Sequence, residues 1–242
     1  MDCEEVQNEI GQKYNEIKER AVIAAKKAGR SPEEVKVLSV SKTQPARTVE
    51  CAYSAGLRCF GENYVQEMSD KFDILKNKGI DDIEWHFIGH LQSNKVRFLS
   101  PFVNFIHSVD TFKLANEIDK RAESEGRIVN CLLQINTSGE ISKSGCDPDD
   151  AENLMGSIIK LNSIRVVGLM TIGTFTNDEY LQRKEFRLLR NTLDNINKSF
   201  GLKLNQLSMG MTGDFEVAID EGATMVRIGT AIFGERHYRN FG

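Results

Sequence analysis

The sequence predicts an α/β fold, a single TIM-type (β/α)8 barrel with an additional N-terminal helix, and three observations predict it. Eight short β-rich runs alternate with helical patterns, those patterns repeatedly end in glycine, and no G-x-G-x-x-G follows the first run. Strands separated by helices run parallel, and eight such units close into a barrel, whereas an open doubly wound sheet calls for that glycine fingerprint at its first turn. The 242 residues, 40 % of them hydrophobic, suffice for one such core. No linker, low-complexity tail or further repeat interrupts the pattern, so residues 1–242 read as one domain.

The first element is a long helix over residues 4–28, where Val6, Ile10, Tyr14, Ile17, Ala21, Ala24 and Ala28 make one apolar stripe at spacings of three and four. Gly29 stops it. Ser31-Pro32-Glu33-Glu34 places a capping side chain, a proline and a glutamate where a short helical turn wants them. The strands are expected at 36–41, 58–61, 84–88, 105–108, 129–136, 166–171, 206–209 and 225–228. The helices between them close at Gly56, Gly79, Gly126, Gly201 and Gly222, with good starts at Asp110-Thr111 and at Asp147-Pro148-Asp149-Asp150.

Composition narrows the function. A net charge of −4 leaves no broad basic surface, so nucleic acid is not expected as a partner. The chain opens MDCEE, acidic where a signal peptide is basic, and holds no apolar run near the ~20 residues of a membrane span. Cys3, Cys51, Cys59, Cys131 and Cys146 are odd in number, scattered and without a C-x-x-C pair. They read as reduced structural thiols, which places the protein in a reducing, cytoplasmic compartment.

The chemistry is expected at the barrel's C-terminal rim. Alternation along 36–42 puts Leu38, Val40 and Lys42 on one face and Ser39 and Ser41 on the other, so Lys42 points inward at that rim if this face lines the barrel. Such a lysine is a solvated rim cation, an ion-pair partner or a carbonyl-capturing amine. The last role needs the neutral form, which costs about 4 to 5 kcal/mol at pH 7 unless burial or a nearby cation lowers the pKa. In 225–229 the same alternation turns Met225, Arg227 and Gly229 inward. The first and eighth strands are neighbours in a closed barrel, so Lys42 and Arg227 can face one ligand; the alternative for Arg227 is a structural ion pair.

Two glycine-rich turns follow strands seven and eight, at residues 208–214 and 229–231, the loops where barrels often hold phosphate. Ser208 and Thr230 add hydroxyls. An inward lysine, an inward arginine and a phosphate cradle ask for a carbonyl, a ring edge and a phosphate, and pyridoxal 5′-phosphate has all three. A cofactor-free lysine aldolase acting on a phosphorylated sugar wants a similar set.

The stretches VSKTQP (40–45), FGENYVQE (60–67), WHFIGHLQSNK (85–95), HSVD (107–110), QINTSGEISKSG (134–145), GLMTIG (168–173) and the long 207–234 run strongly resemble the pyridoxal-phosphate homeostasis protein family, the YggS-like or PROSC-like proteins. The resemblance implies a barrel like the N-terminal domain of alanine racemase, with pyridoxal 5′-phosphate covalently held as an imine on Lys42 and Arg227 facing the pyridine nitrogen. It also implies Ser208, Met209, Gly229 and Thr230 around the phosphate, and Asn63, Ile88 and His90 bordering the ring. Thr212 stands where that family commonly has serine.

Arginine opposite the pyridine nitrogen opposes ring protonation and weakens the electron sink. The racemase's second base, a tyrosine from a separate domain, has no counterpart that spacing singles out among Tyr53, Tyr64 and Tyr238. The expected function is therefore a monomeric carrier and buffer of the cofactor, with little or no turnover and with apo-enzymes as its recipients. An amino-acid racemase is the alternative. Other signals read as structural: His86 and His90 share an i, i+4 spacing without the H-E-x-x-H glutamate, so no metal is expected. Lys143 belongs to a polar loop, Trp85 to the core, and Arg183, Lys184, Arg187 and Arg190 to a solvated helix face.

Overall fold

The computed structural model describes residues 3–234. Strands β1 (Lys36–Val40), β2 (Cys59–Glu62), β3 (Glu84–Phe87), β4 (Phe105–Val109), β5 (Val129–Gln134), β6 (Ile164–Met170), β7 (Gln206–Ser208) and β8 (Met225–Ile228) close in chain order into a parallel barrel, β8 pairing with β1. Helices α1 (Cys3–Lys27), α2 (Ala46–Ser54), α3 (Val65–Lys76), α4 (Phe112–Ser124), α5 (Ala151–Ile158), α6 (Glu179–Phe200), α7 (Phe215–Asp220) and α8 (Thr230–Phe233) surround it. The (β/α)8 barrel and the extra N-terminal helix expected from the sequence are both present.

Local chemistry accounts for the elements and for where they depart from expectation. Thr111 caps α4 by accepting from the Leu114 N–H at 3.3 Å. Gly201 closes α6 at φ 64°, in the left-handed region that glycine enters without steric cost. β6 begins at Ile164 rather than 166, because Ile164 and Arg165 find partners in Val129 and Asn130. β5 stops at Gln134 rather than 136: the Asn136 amide folds back to donate to the Glu140 carbonyl at 3.0 Å and opens a loop. Between β3 and β4 the crossover is a 3₁₀ turn, Ser93–Phe98, which ends shortly before Pro101.

The apolar material lies in two places. Outward-facing strand residues such as Val37, Phe60, Phe87 and Leu169 pack against the helices, and α1 joins this layer through Ile10, Ile17, Ala21 and Ala24. Leu38, Val40, Ile88 and Met225 form a small separate cluster inside the barrel. Each fully buried aliphatic side chain of this kind contributes about 1.5–3 kcal/mol.

Two expectations are corrected. Cys3 and Cys51 are not free thiols but are joined in a disulfide that ties α1 to α2. Cys59, Cys131 and Cys146 are free, and burial raises all three thiols, Cys59 and Cys146 to about 11. The arginines of α6 are not merely a solvated face: Arg183 and Arg187 converge on the Glu221 carboxylate and Arg190 donates to its carbonyl, fastening α6 to the end of α7. Among the described residues no helix is long and apolar enough to cross a membrane.

Candidate cofactor site

β1 turns Leu38 and Val40 into the barrel and Val37 outward, as alternation requires, and Lys42 follows on the inner side. The turn that carries Lys42 is strained: Thr43 has φ 67°, a region that costs a β-branched residue about 1 kcal/mol or more. It is held by an ionic clamp. The Lys71 ammonium donates to the Ser41 carbonyl at 2.7 Å, to Glu62 at 2.6 Å and to Glu67 at 2.7 Å. The Ser41 hydroxyl donates to Glu62 at 2.6 Å, and Glu67 accepts from the Thr43 N–H at 2.6 Å. The residues on both sides of Lys42 are thus anchored to β2 and α3. Burial lifts the Glu62 carboxyl, to about 7, against the opposing pull of Lys71.

Lys42, half-buried, opens onto a cavity of about 320 Å³ at the C-terminal end of the barrel. Asn63, Ile88, Arg227, Gly229 and Thr230 line it as well. Arg227 is 5 % exposed and donates to the Ser208 hydroxyl at 2.8 Å and to the Thr171 carbonyl at 2.8 Å. Its hydrogen bonds go to a hydroxyl and a carbonyl, and Asp214 acts on it only through its charge. Burial lowers its pKa to about 10, with Asp214 pulling the other way, and the guanidinium stays charged at neutral pH. The Asn63 side-chain oxygen is buried without a hydrogen-bond partner, which a ligand's donor would supply.

The two predicted turns form one wall. Met211, Thr212, Gly213 and Asp214 come from the β7–α7 loop, and Gly229 and Thr230 from the end of β8. Gly210 sits at φ 90°, and a Cβ there would stand 2.6 Å from the Ala218 Cβ, so the loop can lie this close to α7 only with glycine. The Met211 N–H donates to Asp214 at 2.6 Å and the Asp214 N–H returns to the Met211 carbonyl at 3.1 Å, which makes the loop compact. No atom lies within 4 Å of a Cβ built on Gly213. Two buried or half-buried cations beside such loops suit a phosphorylated carbonyl compound.

Of the residues singled out in the sequence, Lys42, Asn63, Ile88, Arg227, Gly229 and Thr230 meet at this cavity. Ser208, Met209 and His90 do not line it. Ser208 is fully buried with its hydroxyl between Arg227 and His107, Met209 packs into the outer apolar layer, and His90 is exposed beyond β3. Thr212 and Gly213 belong to the 208–214 turn expected from the sequence to cradle an anion, and both line the cavity. Sequence reasoning missed the β6–α6 loop, from which Ile172, Thr174 and Phe175 reach the cavity. The threonine-rich run 171–176 at a strand's C-terminal end marked that loop. Lys143 is engaged there, donating to the Gly173 carbonyl at 3.1 Å and pairing with Glu140. His86 and His90 diverge, His86 lying buried inside the barrel.

Comparison with known proteins gives this geometry a context. Residues 13–237 match the family model for the alanine racemase N-terminal domain. The pyridoxal phosphate homeostasis protein of Pseudomonas aeruginosa is 44 % identical over 229 residues, 95 % of this chain and 96 % of that protein. The protein of the same name from Aquifex aeolicus is 42 % identical over 227 residues, 94 % and 98 % of the two chains. PipY of Synechococcus elongatus, whose structure was solved with PLP bound, superposes with a TM-score of 0.81 at 32 % identity, covering 93 % of this chain and all of that one. An alanine racemase of Clostridium difficile shares the fold at a TM-score of 0.74 and 15 % identity, covering 97 % of this chain and 58 % of its own. By barrel and by sequence over nearly its whole length, this chain belongs to the pyridoxal phosphate homeostasis protein family within the alanine racemase N-terminal class.

Proposed function

We propose that this protein binds pyridoxal 5′-phosphate covalently through Lys42 and acts as a monomeric carrier and buffer that hands the cofactor to apo-enzymes, with little or no turnover. The observation that carries the proposal is the convergence on one cavity of Lys42 at the end of β1, Arg227 on β8 and the two glycine-bearing loops. The names of the relatives and the PLP in PipY support the same ligand. Lys42 supplies the attacking amine, Arg227 the cation opposite the pyridine edge, and Asn63 and Ile88 the flanks. The Thr212–Gly213 and Gly229–Thr230 turns face the phosphate. Bound here, the cofactor would supply an electrophilic carbonyl carbon and a conjugated ring.

Two features of this chain's own residues support the reading of low turnover. With the cofactor's ring nitrogen toward Arg227, the fixed positive charge would oppose ring protonation and make the ring a poor electron sink. A racemase needs a second proton-transfer group facing the lysine. Among the described lining residues none is a tyrosine, histidine or cysteine, and the Asp214 carboxylate is already engaged by the Met211 N–H. Tyr53 and Tyr64 are not among the lining residues, and Tyr238 lies outside the described residues.

The experiment is borohydride reduction of the loaded protein followed by peptide mass spectrometry. The reading expects one reduced adduct, on Lys42, and an absorbance band near about 420 nm before reduction. An adduct on another lysine, or none after reconstitution, overturns the site. Rapid exchange of an amino acid's α-proton in deuterated water would overturn the carrier role and leave the site standing.

A further inference from the structure

The barrel's interior is not filled by apolar side chains alone. A chain of hydrogen bonds runs through it from the N-terminal mouth to the floor of the cavity. Lys36 donates to Glu84 at 2.7 Å, and Glu84 meets His86 Nε2 at 2.6 Å. His86 Nδ1 meets His107 Nε2 at 2.9 Å, His107 Nδ1 meets the Ser208 hydroxyl at 3.1 Å, and Ser208 accepts from Arg227 at 2.8 Å. The Lys36, Glu84 and Cys59 side chains are partly open to solvent, while His86, His107, Ser208 and Arg227 are buried.

With both rings neutral, proton inventory gives the chain one direction. A guanidinium only donates, so Ser208 accepts from Arg227, and its own proton is free to go to His107 Nδ1. His107 then carries its proton on Nε2 and gives it to His86 Nδ1. His86 in turn carries its proton on Nε2 and gives it to the Glu84 carboxylate, which also accepts from Lys36. With both rings neutral, every contact along the chain has one donor and one acceptor. Reversing the chain sets a bare His86 Nε2 lone pair against a carboxylate and leaves the Ser208 proton without one of these acceptors. Burial lowers the pKa of both histidines, which agrees with neutral rings.

We propose that Glu84, His86, His107 and Ser208 are positioning residues forming one relay, in which Glu84 at the mouth opposite the cavity fixes both histidine tautomers and so presents Ser208 to Arg227 as an acceptor. Arg227 is thereby locked in one rotamer with its charge directed at the ligand, which rests on the reading of Arg227 as the group opposite the cofactor ring. The relay also explains why Ser208 stands below the cavity instead of lining it. The charged and titratable groups facing it are Lys36 from β1, Cys59 from β2, Glu84 and His86 from β3, His107 from β4, Asp214 from the β7–α7 loop and Arg227 from β8. Cys59 approaches the same Glu84 oxygen at 3.7 Å.

The first test needs no cofactor. Two-bond ¹⁵N–¹H correlation spectra of the free protein, with His86 and His107 assigned by substitution, are expected to show both rings as neutral Nε2–H tautomers between about pH 7 and 8. An Nδ1–H tautomer or an imidazolium at either ring in that range overturns the relay and leaves the Lys42 adduct untouched. The second test follows the visible band of the loaded protein against pH. Glu84→Leu and Ser208→Ala are each expected to move its titration midpoint by about one unit, Glu84→Gln to move it little because an acceptor is kept, and the double variant to move it no further than Ser208→Ala. Additive shifts in the double variant, or a normal midpoint in Glu84→Leu, overturn the transmission. If the leucine variant does not fold, the tautomers of the unaltered protein decide.

Discussion

Replacing Lys71 by methionine tests how the Lys42 turn is held. The substitution conserves volume but removes the donor to Ser41, Glu62 and Glu67 together. The Glu62 side chain is fully buried, and breaking such a pair by deleting one partner costs about 3–5 kcal/mol. Part of that cost depends on pH. In the unaltered protein the Glu62 carboxyl, raised to about 7, lies above its unfolded value, so the stability it contributes is fully present below about pH 4.5 and is lost as pH rises through 7. Without Lys71 its folded pKa climbs further, and the loss continues where the unaltered protein has levelled off. The gap between the two proteins is therefore expected to be about 1–2 kcal/mol at pH 6, where Glu62 is mostly protonated and the lost Ser41 hydrogen bond dominates. It should grow by only about 0.4 kcal/mol between pH 6 and pH 7, and then widen by up to about 1.4 kcal/mol per unit above that. Urea denaturation at three pH values measures it. A gap below about 1 kcal/mol at every pH, or one that does not change with pH, would refute the clamp.

Gly89→Ala puts a Cβ 2.1 Å from the Asn63 carbonyl oxygen, so backbone must move; we expect a loss above about 2 kcal/mol and weaker cofactor retention, measured by thermal unfolding and by absorbance after dialysis. Opening the Cys3–Cys51 bridge frees a loop closed across 48 positions, for which chain entropy gives an upper value of about 4 kcal/mol; unfolding with and without reductant, with Cys3→Ser as control, should show a drop within that bound. Glu221→Gln weakens the acceptor shared by Arg183 and Arg187 and should cost about 1–2 kcal/mol in chemical denaturation, with a smaller cost at high salt.

What was legible in the sequence followed from local rules. Alternation along β1 and β8 assigned Leu38, Val40, Lys42 and Arg227 to the inside, and period two alone is enough for that. The left-handed glycines at 29 and 201 closed the helices where their positions suggested. For Ser208 alternation gives the face but not how far along the barrel a ligand sits; its hydroxyl lies between Arg227 and His107. The disulfide was illegible because Cys3 and Cys51 lie on separate helices that meet only once the barrel forms. The clamp under Lys42 escaped for a similar reason. Glu67 and Lys71 are a visible i, i+4 pair, but nothing local says that Glu62, at the end of a strand, turns outward to meet them.

The register in which Leu38 stands beside Arg227 bears on how the protein is made. The amine and the guanidinium of the cavity belong to the first and last strands, so a nascent chain leaving the ribosome holds an unsealed sheet and no complete binding site until its final segment emerges. Sealing the seam and gaining the pocket are one event. Any ligand spanning both strands then favours the sealed form by RT ln(1 + [L]/Kd), and vitamin supply would set how firmly the barrel stays shut.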